Sequence, residues 1–189
     1  LEERRLELEA LVDRLVLADP ATISSAANAV GDLGPATDCL DPAGLARLPA
    51  PPEASAKQIG DLRRDLARVH ALSATGRHEE ALVLATDTDR QAARVNWPRL
   101  RSATRLALAQ QHSALGRYDE AEATLEDAYF IALGAAATQE CFDAAVELMH
   151  VVGHLSERHA EGRRWARTAR TFAHDLPDPT QQRTVRLLV

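Results

Sequence analysis

The sequence predicts an all-α fold: an α-solenoid of antiparallel helix pairs preceded by an N-terminal helical segment. Three observations predict it. Hydrophobic residues make up 46% of the 189-residue chain but aromatics only 4%, so Ala, Leu and Val carry the apolar content, a composition suited to helices packed through small residues. No alternating apolar–polar stretch of strand length comes after the proline-rich residues 49–53. A turn motif then recurs as GRHEEA at 76–81, GRYDEA at 116–121 and ERHAEG at 157–162, spaced 40 and 41 residues apart, which marks stacked supersecondary units.

The first element is an amphipathic helix over LEERRLELEALVDRLVLA. Leu8, Leu11, Val12 and Leu15 share its inward face, and Glu2, Glu3, Arg4 and Arg5 are solvated. Asp-Pro pairs at 19–20, 41–42 and 178–179 each suit an N-cap acceptor followed by Pro in the first helical position, where the missing N–H costs nothing. A second helix is expected over Ala21–Asp32, with Ile23, Ala27 and Val30 inward, and is ended by Gly31, Gly34 and Pro35. A short helix covers Pro42–Leu48. PAPPE then breaks helix, so residues 1–48 form an N-terminal helical segment, 49–56 a linker that reaches Lys57, and 57–189 the repeat domain.

Three helix pairs are expected at about 57–95, 98–134 and 138–175, with TQQRTVRLLV at 180–189 starting a further helix. At the motif a Gly can end the first helix in a left-handed conformation, and the charged residues after it open the second, where the helix dipole favours acidic ones. Ala81, Ala121 and Gly162 let the two helices approach closely. Thr88, Ala128 and Ala169 lie seven residues on, two turns along the same inner face. Trp97 and Trp165 are packing anchors, and of the adjacent Tyr129 and Phe130 only one can face the core.

The charge balance bounds function. A net charge of −6, with Lys57 the sole lysine, opposes binding to a phosphate backbone, so nucleic acid is not an expected partner. No run of 18 apolar residues is present to insert into a membrane, and no secretory leader is visible, which points to the cytoplasm. Cys39 and Cys141 form no CxxC; they read as reduced thiols, with one long-range disulfide as the alternative. The chain opens on Leu1 and stops at Val189 within an apolar run, so a segment of a longer protein is expected.

The turn Gly-x-[Tyr/His]-x-x-Ala and the later small residue on the second helix resemble the tetratricopeptide repeat, whose usual length is 34. A 40-residue period is similar to the longer repeats of large bacterial regulators and motor-associated light chains. The sequence departs from the repeat pattern where a large aromatic and a Leu-Gly pair are usual: the second copy has Arg105, Leu108 and Ala109, and the closing Pro is missing. The stretches LEERRLELEALVDRLVLADPATISSAANAV, CLDPAGLARLPAPPE and LARVHALSATGRHEEAL are similar to the region after the kinase domain in tetratricopeptide-repeat serine/threonine kinases of myxobacterial type. That resemblance implies an ATP-dependent protein kinase as the parent. This chain itself has no GxGxxG, no VAIK-like lysine strand, no HRD and no DFG, so ATP and Mg are expected only of a kinase domain outside it.

The residues that invite a chemical reading have plainer ones. In HVVGHLSERH, His150 and His154 are four apart on a helix, but Val151 stands where a metalloprotease HExxH has Glu. A structural zinc would need Cys141 and His159 as well; Cys141 is more than two turns away and His159 occupies the packing position of His78 and Tyr118. No metal site is therefore expected. His150 is placed near the inner packing face. Glu79 and Glu80 beside His78 are explained by the helix dipole, and no nucleophile is paired with them, so no catalytic residue is assigned.

By the tetratricopeptide resemblance, first helices line a concave groove. Its usual inward positions fall on Arg63, His70 and Ser73, on Gln110 and Ser113, and on Glu147 and His154. The function expected is a non-catalytic module that binds a protein or peptide, the parent kinase domain among the candidates, and regulates or localises that kinase. Two further readings are the effector-sensing region of a bacterial transcriptional regulator and a self-association module.

Overall fold

The structure, a computed structural model, describes residues 2–16, 50–174 and 176. The helices expected over Ala21–Asp32, Pro42–Leu48 and 180–189, and Cys39, lie outside the described residues. Among the described residues every regular element is helical. They are α1 (Glu2–Val16), a 3-10 turn (Glu53–Ser55), α2 (Ala56–Ala74), α3 (His78–Val95), α4 (Pro98–Ala114), α5 (Tyr118–Gly134), α6 (Thr138–His150) continuing into a π-helical turn (Val151–Leu155), and α7 (His159–Ala173). Within each compact unit, sequence-adjacent helices pack on each other, as in a helical repeat. Lys57, expected in the linker, lies in the first turn of α2.

The chain divides into two compact units, Leu1–Trp97 and Pro98–Val189. In the first, α2 and α3 form an antiparallel pair and α1 packs on α2. Ile59, Leu62 and Val69 of α2 meet Ala81, Ala85, Thr88 and Ala92 of α3, all buried. The inward face of α1 differs from the one expected. Leu6 and Leu11 are buried, whereas Leu8 and Val12 are 52% and 48% exposed. Leu6 and Leu11 lie about 140° apart around the helix, so burial of α1 covers a broader arc than a single apolar stripe.

In the second unit α4 pairs with α5, α6 with α7, and α5 also packs on α6. Ala121, Leu125, Ala128, Phe142, Leu148, Val151, Val152 and Ala169 form one core. Tyr129 turns inward and Phe130 stays 61% exposed. Tyr129 sits edge-on to both Trp165 and Phe172, with ring centroids 5.2 and 6.1 Å apart, which closes the α5–α7 contact.

The turns explain the repeat length. Gly76 and Gly116 adopt φ of +78° and +74°. In each case the amide of the Gly bonds to the carbonyl three back and the next amide to the carbonyl five back: Gly76 to Ser73 and Arg77 to Leu72, then Gly116 to Ser113 and Arg117 to His112. In the third pair Glu157 takes the left-handed position at φ +57°, and Arg158 bonds to Val152, six back. The one extra residue of the 41-residue spacing is thus held between Val152 and Arg158, beside and within the π turn, which is how a helix absorbs an insertion. Gly153 and Gly162 make the contact between the two helices there. A Cβ on Gly162 would come within 2.4 Å of the Gly153 Cα.

Candidate functional site

The seven groove positions are carried by first helices of the pairs. Arg63 and His70 lie two turns apart on one face of α2. The Arg63 guanidinium lies over the Trp97 indole, 5.2 Å from its centroid, and its Nη2 is 3.0 Å from Glu3 Oε1 of α1. His70 is half-buried. Burial pushes its pKa below the ordinary histidine value, opposed by Glu7 and aided by Arg4, both on α1. This face of α2 is not an open groove in the structure, because α1 lies on it. Ser73 is half-buried at the end of α2 and gives its carbonyl to the Gly76 amide.

In the second unit Gln110 and Ser113 are half-buried on α4 and Glu147 is half-buried on α6. The structure brings two of these together: Gln110 Nε2 donates to Glu147 Oε1 at 3.4 Å. His154 is exposed in the π turn, its ring stacked on His150 with centroids 5.4 Å apart and planes at 25°. His150 is therefore exposed rather than near the inner packing face. His159 is also exposed, but its Nδ1 lies 2.7 Å from the Gly153 carbonyl and ties the start of α7 to the π turn. Among the described residues no three or more His, Cys, Asp and Glu side chains are grouped to hold a metal ion. Cys141 is a free thiol inside the core, pushed up to about 11 by burial and then by Glu140, so it stays protonated at neutral pH.

Three features escaped the sequence reading. Arg99 of α4 pairs with Glu140 of α6 at 2.7 Å, both side chains being mostly buried (19% and 17% exposed). Arg158 clamps both oxygens of Glu122 on α5, at 2.6 and 2.7 Å, and also bonds to Glu161. These partners are 41 and 36 residues apart, and no local pattern relates them. The third feature is a cleft of about 380 Å³ between α1, α2 and α3. Leu6, Leu72 and Leu84 give it apolar walls, and Arg14, Arg64 and Arg68 line it together with the carboxylates Glu9, Asp13 and Glu80. The Arg14 Nε is buried there without a hydrogen-bond partner among the described residues.

Among the described residues, fold and site together define an all-helical arrangement of sequence-adjacent helix pairs, with polar side chains joined across the first helices of the second unit. No protein-family model matches the chain, and neither a curated protein nor a solved structure matches it.

Proposed function

We propose that this chain is a non-catalytic protein-binding module of tetratricopeptide type, part of a bacterial serine/threonine protein kinase in the cytoplasm, where it regulates or localises that kinase. The observation that carries the reading is the meeting of Gln110 and Glu147. Polar side chains of successive first helices, 37 residues apart, lie side by side and present adjacent amide and carboxylate groups. Such a row suits recognition of a peptide backbone and of basic side chains. The parent kinase rests on the resemblance in the N-terminal stretches.

Affinity capture from the source cells tests the reading. Proteins held by the wild-type chain and lost from a Glu147→Arg variant support it; identical captured sets sink it. The coding sequence upstream of Leu1 tests the parent: HRD and DFG motifs support a kinase, and a helix-turn-helix opposes it.

A second reading, an effector-sensing region of a transcriptional regulator, is favoured by the cleft of the first unit, where the Arg14 Nε is buried without a hydrogen-bond partner among the described residues. A screen of small organic acids by thermal shift tests it, with a rise in Tm that Arg14→Ala abolishes as the supporting result.

A further inference from the structure

We propose that the α2 face bearing Arg63 and His70 is a receptor for an acidic amphipathic helix, and that α1 fills this receptor in cis. The inference rests on the reading of the helix pairs as a protein-binding module and names the partner of its first pair.

The contact has the layout of a helix seated in a groove. Leu6 and Leu11 are the apolar anchors, 6% and 3% exposed. Glu3 meets Arg63 at 3.0 Å, and Glu7 is the carboxylate that acts on His70. Glu3, Leu6, Glu7 and Leu11 fall at i, i+3, i+4 and i+8, one broad face of a helix. Charge is complementary across the contact at Glu3 of α1 and Arg63 of α2.

The receptor is pre-set independently of α1. Arg63 is held over Trp97, a residue of the same unit outside α1, so its guanidinium is aimed before any carboxylate arrives. Among the described residues α1 packs on α2 and reaches α3 at the cleft. Because α1 belongs to the same chain, it competes with any external helix as an intramolecular ligand. An external helix of the same pattern, Glu-x-x-Leu-Glu-x-x-x-Leu, binds only as α1 leaves, and its apparent affinity falls by the fraction of open receptor.

The test uses the whole chain and a fluorescein-labelled peptide of residues 2–16 followed by anisotropy. Two variants loosen α1: Glu3→Arg/Glu7→Arg, which spares the core, and Leu6→Ser/Leu11→Ser, which removes the anchors. Circular dichroism checks that α2–α7 stay helical. The expected result is at least tenfold tighter peptide binding to either variant than to the wild type. In the leucine variant, Arg63→Glu should abolish binding, and a peptide carrying Glu3→Arg should restore it. Equal affinity for wild type and both variants overturns the proposal, as does no binding to either variant or binding indifferent to Arg63→Glu. The Glu147-dependent capture separates the two ideas. If it persists while the peptide fails, the receptor on α2 falls alone; if it fails while the peptide binds, the α4–α6 polar row falls and the receptor stands.

Discussion

At the scale of single residues, the backbone carries more information than the exposed side chains. Glu157 sits in the left-handed region that glycine fills at the two equivalent turns, and nothing about a glutamate favours that conformation. Glu157→Gly should therefore stabilise the second unit by about 0.5–1 kcal/mol, the relief of the Cβ clash less the added chain entropy of glycine. A urea titration would show it as a higher midpoint at unchanged slope, and an unmoved midpoint would contradict it. Cys141 makes the opposite kind of statement. Its buried, protonated thiol should resist iodoacetamide at pH 7.5 in the native chain and react fully in 6 M guanidinium. Peptide mapping by mass spectrometry reads this at Cys141 separately from Cys39.

At the scale of elements, two contacts decide whether helices seat. The first is Gly162 against Gly153. Ala81 and Ala121 hold a methyl at the corresponding place in the first two pairs, both fully buried, whereas a methyl on Gly162 would run into backbone. Gly162→Ala should destabilise by about 1–3 kcal/mol, since the obstructing atom is a Cα and cannot swing aside. Ala121→Gly, a change in the reverse sense, should cost only about 1 kcal/mol through helix propensity. Chemical denaturation of the two variants compares them directly. The second contact is α1 on α2. Burial holds the His70 pKa below its unfolded value, so the neutral ring is favoured in the folded state. As pH falls through the unfolded value near 6.5, the unfolded chain takes up a proton that the folded chain refuses, and stability drops. The contribution is present above that pH and lost below it, down to the folded pKa. His112, lowered first by burial in the second unit, acts with the same sign. Urea midpoints at pH 7.5 and 5.5 should therefore differ, and His70→Gln should shrink the difference; an equal drop in that variant would assign it elsewhere.

At the scale of the whole molecule, helix pairing was legible and the use of faces was not. Helix ends could be read because Gly76, Gly116, Pro98 and the acidic first turns act locally, each through its own backbone or dipole. The buried row of Ala121, Ala128 and Ala169 comes from the 3.6-residue period alone. What α1 covers could not be read that way. Arg63 and His70 look like free groove residues until a helix distant in sequence is laid on them, and α1 has apolar side chains on more than one stripe. Long-range pairs such as Arg158 with Glu122 leave no periodic trace for the same reason. The two tryptophans let the two units be followed separately, Trp97 in the first and Trp165 in the second. Phe142→Ala, which empties the largest fully buried side chain, should lower the midpoint read by Trp165 in a Trp97→Phe background by the equivalent of about 3–5 kcal/mol. A shift under about 1 kcal/mol, well below the usual cost of emptying a buried phenylalanine site, would mean that Phe142 is not central to the second unit.

The π turn has a meaning for how such a chain changes over time. An extra residue added to a loop leaves the neighbouring surface as it was. Here the residue is taken up inside a helix, where the wider π turn holds it and the chain still enters the left-handed turn at Glu157. His154 stands exposed in that turn, while its neighbour Gly153 keeps the close contact with Gly162. A π turn thus lets a repeat take in one residue and show a side chain to solvent while the small-residue seam stays closed.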